Sequence, residues 1–351
     1  LVIEKSSWDR FKIYSNNMFE AIGGTPLVKL NSVGSDLSSD IFVKIEWYSP
    51  TGSLKDRIYY NMISKAEERG ELKKGMTVLE CSTGNAGIAC SFVATVKGYS
   101  CTVVMPEGMS VERKKIMRAY GSELIFTPGG ESDVDLALQK LEEIRSKDPE
   151  KYWVPAQFDN LDNNEAHYLT TGPEIWEQLN EKVDAIIGSQ GTGGWISGIG
   201  KFLKEKKNDI EIFAVEPSEC PLLSKRQWGT HGIEGIGDGF VPKALDLSIL
   251  KGIVTTSTEE SLEMAKKLAK EEGIFCGISS GCNVIAAIKL ARSRPHLKNI
   301  VTNICDTGQR YFTTELCGEE KEIEIPDRTH IIDEYSKSEL DKFSKDWAII
   351  D

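Results

Sequence analysis

Lys55 stands in Thr51-Gly-Ser-Leu-Lys-Asp-Arg57, between an apolar run at Ile41–Ile45 and a helical pattern. Such a lysine is either a solvated surface charge or a nucleophilic amine held where a helix begins, able to join a carbonyl cofactor. Three further loops also follow strand-like runs. Cys81-Ser-Thr-Gly-Asn-Ala-Gly87 lies between Thr77–Leu79 and the apolar helix Ile88–Val96. Its small residues leave backbone N–H groups exposed at a helix start, which makes either a carboxylate seat or a capped turn. Gly188-Ser-Gln-Gly-Thr-Gly-Gly194 precedes the helical stretch Trp195–Glu205 and reads better as a phosphate cup than as a bare turn. It lacks the G-K-[ST] ending of a P-loop and is no dinucleotide fingerprint. Asn303-Ile-Cys-Asp-Thr-Gly-Gln-Arg-Tyr311 follows Ile300–Ile304, where polar groups can reach a ring heteroatom. A lysine, a phosphate cup, a carboxylate turn and a ring contact together suit pyridoxal phosphate holding an amino acid.

The elements that must position these loops alternate in type. Short apolar runs at Ile41–Ile45, Thr77–Leu79, Cys101–Met105, Glu123–Phe126, Ala185–Ile187, Ile212–Val215 and Ile300–Ile304 read as strands. Amphipathic stretches at Asp56–Arg69, Val111–Ala119, Asp133–Ser146, Glu259–Glu272 and Val284–Ala291 read as helices. That alternation predicts an α/β fold with mostly parallel sheets, whose ligands sit at the carboxyl ends of the strands.

Composition narrows the class. The 351 residues carry 42 Lys+Arg against 54 Asp+Glu, a formal net charge of −12. A polyanion is repelled on average, which argues against nucleic acid or an anionic membrane as partner. No run reaches a membrane span, and Leu1–Arg10 lacks a basic-then-apolar signal, so a cytoplasmic location is expected. The eight cysteines include no C-x-x-C pair and the four histidines lie far apart. Most of the cysteines are expected to be small buried hydrophobes, and no metal site is expected.

From Phe19 to Thr314 the chain resembles the cysteine synthase and cystathionine β-synthase family of fold type II pyridoxal-phosphate enzymes. The matching segments run in family order: Ile22-Gly-Gly-Thr-Pro-Leu27, Gly52-Ser-Leu-Lys-Asp-Arg57, Ser82-Thr-Gly-Asn-Ala-Gly-Ile88, Met105-Pro-Glu107, Thr171-Gly-Pro-Glu-Ile-Trp176, Gly191-Thr-Gly-Gly194, Gly235-Ile-Gly-Asp-Gly-Phe240, Gly277-Ile-Ser-Ser-Gly281 and Gly308-Gln-Arg-Tyr311. The resemblance implies a two-domain, tryptophan synthase β-like architecture, each domain a twisted, mostly parallel sheet flanked by helices. A smaller mobile domain is expected at 44–158, a larger cofactor-binding one at 1–43 plus 159–317, and a tail at 318–351 that serves packing or dimer contacts. A homodimer is expected.

Residue roles follow from the same resemblance. It implies that Lys55 forms the Schiff base and moves the substrate α-proton, and that Asn85 bonds the cofactor's ring oxygen. Ser82, Thr83, Asn85 and Gln157 are implied as the carboxylate clamp, Gly235 as a substrate contact, and Gly191, Thr192, Gly193 and Gly194 as the phosphate cup. Thr307 is implied to face the pyridine nitrogen, with Asp306 as the neighbouring alternative. The reaction implied is β-replacement on a serine-derived amino acid through an α-aminoacrylate, foremost O-acetylserine plus sulfide to L-cysteine and acetate.

Some positions depart from the family pattern. Trp195 stands where the phosphate loop usually continues with threonine, leaving Ser197 as a possible compensating hydroxyl; Ala86 replaces a threonine of the carboxylate turn. Asp238 is either a turn aspartate or a proton-holding group that helps expel a poor leaving group. The second role would favour serine or cysteine as donor, giving cystathionine or lanthionine with release of water or hydrogen sulfide. Lys225 and Arg226 either attract the phosphate of O-phosphoserine or form a solvated loop. A non-catalytic regulatory protein is the alternative of another class, against which the presence of Lys55 counts.

Overall fold

Most of the described helices lead the backbone into a new parallel strand, which is how the loops after the strands come to share one side. The computed structural model describes residues 14–129 and 134–318; the tail at 319–351 and the first residue of the expected Asp133–Ser146 helix lie outside them. The described residues belong to one compact unit by their contacts.

The first half runs β1 (Leu27–Lys29), β2 (Asp40–Ile45), α1 (Lys55–Glu68), β3 (Thr77–Cys81), α2 (Asn85–Lys97), β4 (Ser100–Pro106), α3 (Val111–Ala119), β5 (Glu123–Thr127), α4 (Val134–Lys147) and β6 (Tyr152–Trp153). The second runs α5 (Asp162–Ala166), α6 (Gly172–Gln178), β7 (Ala185–Ser189), α7 (Gly194–Lys206), β8 (Glu211–Pro217), α8 (Leu222–Lys225), β9 (Gly252–Thr256), α9 (Thr258–Glu271), α10 (Ile278–Ser293) and β10 (Asn299–Ile304). A six-stranded sheet has the order β1-β2-β10-β7-β8-β9, and a four-stranded sheet the order β5-β4-β3-β6. All pairings are parallel except β1 with β2.

Both sheets are covered on two faces, so their inner strands read as unbroken apolar runs. In β3 all five residues are buried, Glu80 among them. One face of the six-stranded sheet packs on α9 and α10 through Leu268, Val284 and Ile288, and the other on α7 through Ile196, Ile199 and Leu203. In the four-stranded sheet, α1 lays Ile58, Met62, Ile63 and Ala66 against α2 and the strands, the spacing of one helical face. Helix α4 closes the opposite face through Ala137 and Leu141.

The expected strands and helices are present with ends shifted by a few residues. The largest shift is α10, which starts at Ile278 rather than near Val284 because its polar first turn, Ser279 to Asn283, is buried and bonded rather than solvated.

Candidate active site

Loops at the carboxyl ends of β3, β7 and β10, with the start of α1, enclose a cavity of about 940 Å³, open mouth included. Lys55 lines it as the first residue of α1. Its loop is fastened to the end of β10: Leu54 N–H donates to Cys305 O at 3.0 Å, and Ser53 bridges Asp306. Burial pushes the Lys55 ammonium below its usual range, against the opposing pull of Cys305, Asp238 and Glu80.

The helix behind Lys55 is clamped by buried charge. Arg57 Nε meets Glu46 at 2.8 Å, and its two terminal nitrogens grip Glu174 at 2.7 and 2.8 Å. Lys44 Nζ reaches Glu174 at 2.8 Å as well. A bidentate guanidinium has one geometry, so Arg57 fixes the rotation of α1 two residues beyond the amine.

The turn after β3 folds on Ser82, whose Oγ accepts from Gly87 N–H at 2.8 Å and Gly84 N–H at 3.1 Å. Ser82, Thr83, Asn85 and Ala86 line the cavity. Asn85 is held at both ends: its Nδ2 donates to Asp306 Oδ2 at 2.7 Å, and its Oδ1 accepts from Arg310. Gln157 lines the cavity opposite, its Nε2 at 3.5 Å from Cys81 O.

The loop after β7 is a cup that only small residues permit. A Cβ on Gly191 would stand 2.5 Å from Gly235 O, and Gly193 has φ +82° with Leu245 2.6 Å from where its Cβ would be. Gly191, Thr192, Gly193 and Gly235 line the cavity. Thr192 Oγ1 accepts from Asn163 Nδ2 at 2.9 Å and Gly194 N–H at 3.3 Å, which leaves its own proton for an anion.

Not every other residue singled out in the sequence lines the cavity. Gly194 stands behind the cup, where its missing side chain makes room for Asn163. Ser197 turns away and accepts from Asp246 N–H at 2.9 Å, so it does not replace the absent threonine. Trp195 packs its ring against Gly188 and forms cavity wall. Thr307 is not among the lining residues; its hydroxyl accepts from Gln309 N–H at 3.4 Å, and Asn303 and Cys305 line the cavity from that side. Asp238 is at the cavity. Lys225 and Arg226 are exposed and do not line it, which removes the support for an O-phosphoserine donor. Asn163, Arg113, Glu234 and Arg310 escaped the sequence reading, because each takes its place through partners far along the chain.

Fold and site set an amine of lowered basicity in one cavity with a turn folded on Ser82 and a glycine cup. A family described as pyridoxal-phosphate dependent enzyme matches residues 18–306, and the chain belongs to it. It is 44% identical to a cysteine synthase of Staphylococcus aureus over 302 residues, 86% of this chain and 96% of the relative. A cysteine synthase structure from Entamoeba histolytica superimposes with a TM-score of 0.84 at 38% identity, covering 89% of this chain and 94% of that one. A hydrogen sulfide-producing enzyme of Fusobacterium nucleatum gives 0.81 at 40% identity, over 85% of this chain and 100% of that one.

The residues fit this cofactor. Thr192 in the cup keeps its hydroxyl proton for a phosphate oxygen, and the amine that would carry the group stands in the same cavity.

Proposed function

We propose that the chain is a cysteine synthase, replacing the β-acetate of O-acetylserine with sulfide. The observation that carries this reading is one cavity lined by Lys55, the glycine cup and the 82–87 turn. When bound, the cofactor withdraws electrons from the amino acid, which acidifies its Cα–H and lets the β-substituent leave.

The chain's own groups do the rest. Gly191, Thr192 and Gly193 would hold the phosphate, helped by Gly194 behind them at the amino end of α7. Lys55 would carry the cofactor and, once freed by the substrate, would take the Cα proton and return it after sulfide has added; burial, which disfavours its ammonium form, suits it to that work. Ser82, Thr83, Asn85 and Gln157 hold the α-carboxylate beside Gly235, and Asn85 meets the ring oxygen. Thr307, or Asp306 beside it, would face the ring nitrogen, as the resemblance implies. The C–O bond to acetate breaks and a C–S bond forms, with Lys55 holding the proton between the two.

Asp238 favours a second reading. It lines the cavity, and its charge is felt at both Lys55 and Cys81. A carboxyl group there can protonate hydroxide or hydrosulfide as it leaves, so serine or cysteine would serve as donor, and the likeness to a hydrogen sulfide-producing enzyme supports this. The resemblance further supports a cytoplasmic homodimer in which 44–158 moves as the smaller domain against 1–43 plus 159–317. Among the described residues no helix is long and apolar enough to cross a membrane.

The test is the visible spectrum of the holoenzyme, titrated with O-acetylserine, serine and cysteine in the absence of a nucleophile. A new long-wavelength band with O-acetylserine alone supports cysteine synthase; the band with serine or cysteine supports the second reading. No band with any donor defeats both.

A further inference from the structure

We propose that Arg113 is a specificity-determining residue for the donor's α-carboxylate, and that Glu234 is the anion holding that place until the donor arrives. The proposal rests on the reading of the 82–87 turn as the carboxylate site and adds to it a fixed cation.

Arg113 lies in the first turn of α3, beside the four-stranded sheet, whereas Glu234 lies in the loop between α8 and β9, which belongs to the six-stranded one. Arg113 Nη1 pairs with Glu234 Oε2, and both residues line the cavity. The Arg113 side chain is only 3% exposed, yet its Nε has no hydrogen-bond partner among the described residues. That nitrogen faces the turn: a Cβ on Gly84 would stand 2.9 Å from it. The Tyr311 ring supports the guanidinium, 4.8 Å from its carbon to the ring centroid, without using any N–H. Tyr311 is itself anchored by its hydroxyl on Asp306 at 2.8 Å.

A guanidinium offers five donors in one plane, and Glu234 occupies only part of that set. A carboxylate seated in the turn meets the vacant Nε–H edge and competes with Glu234 for the same cation. The exchange leaves no buried charge alone. Arg113 stays covered and paired, while Glu234, already 20% exposed, can take its charge to water. A ligand without a carboxylate has nothing to exchange.

Competition demands opposite signs from the two partners, which a structural strut does not. L-Alanine, which has no β leaving group, is titrated into the holoenzyme by calorimetry and by the cofactor's visible band, with L-alaninamide as the control without carboxylate. Arg113→Gln should weaken alanine by about tenfold or more, Arg113→Lys by less, and Glu234→Gln should tighten it several-fold. Alaninamide should not respond to any of the three.

Weaker or unchanged alanine binding in Glu234→Gln overturns the proposal, even if Arg113→Gln folds poorly. Unchanged alanine binding in a folded Arg113→Gln also overturns it. Turnover of O-acetylserine with sulfide is measured alongside in the unaltered enzyme. Its absence would refute the proposed reaction while leaving the alanine result to judge Arg113.

Discussion

Asn85 and Asp306, 221 positions apart in the chain, share a hydrogen bond of 2.7 Å beneath the cavity. Asp306 is fully buried, accepts from Tyr311 through the same oxygen, and keeps its other oxygen without a partner among the described residues. The bond ties the turn after β3 to the loop after β10. The residue proposed to meet the cofactor ring is therefore oriented by a carboxylate that does not touch the cavity.

Asp306→Ala should loosen Asn85 and weaken cofactor retention by roughly tenfold to a hundredfold, the worth of a hydrogen bond to a charged group. Equilibrium dialysis and the emission of the bound cofactor measure it. Retention and emission identical to those of the unaltered protein would show that Asn85 needs no such support.

Asp238→Asn keeps the shape of the side chain but cannot deliver a proton. Use of serine or cysteine as donor should fall by about a hundredfold or more, the usual contribution of a positioned acid, while O-acetylserine is spared. Equal losses for all donors in steady-state assays would assign Asp238 to the turn's architecture instead.

Glu80 lies buried in β3, where burial raises its carboxyl to about 8. Its value in an unfolded chain is roughly 4.3. A raised folded value means that its contribution to stability is complete below the unfolded value and is lost as pH rises toward about 8. Glu80→Gln, uncharged at every pH, should therefore be more stable than the parent at pH 8 and nearly equal to it at pH 4. Denaturant melts at the two pH values decide this; parallel curves would show that Glu80 is ionised in the fold at low cost.

Arg57→Ala strands Glu46, which is wholly buried, and leaves Glu174 to Lys44 alone among its cations. Breaking a buried pair in this way costs about 3–5 kcal/mol. Burial raises Glu174, but the Arg57 hydrogen bonds and charge outweigh it and hold the carboxyl at about 2. Its stabilisation is present above the unfolded value and is lost as pH falls toward about 2. The variant should unfold at lower denaturant concentration and show a flatter acid limb; an unchanged midpoint would make the cluster energetically neutral.

Much of this could be read in the chain because it is local. Strand-like runs buried on both faces announce themselves as unbroken Val and Ile, as in β4 and β7, and a glycine-rich turn after a strand marks a helix start open to anions. Of the edge strands β5 was read, whereas β1, β6 and β9 were not. β6 is two residues long, and β9 opens on Gly252 and is only partly buried along most of its length. What stayed hidden is pairwise. Nothing around Arg113 points to a glutamate 121 positions on, and nothing around Gly194 says that the space it leaves is taken by Asn163. Thr307 was placed by its resemblance to a family position, whereas its hydroxyl bond to Gln309 depends on a short helical turn.

The sheet order also bears on how the protein is made. β3 to β6, the whole four-stranded sheet, lie within residues 77–153, and this sheet can close while later residues are still being added at the ribosome. β2 cannot find its neighbour so soon, because Asp40 to Ile45 pair with Asn299 to Ile304. The loop before Lys55 is bonded to Cys305 and Asp306, so it too must wait for the last strand. A nascent chain thus carries a small sheet and an unplaced lysine until residues 299–306 have been made, and the reactive amine reaches its pocket only when that strand is there to enclose it.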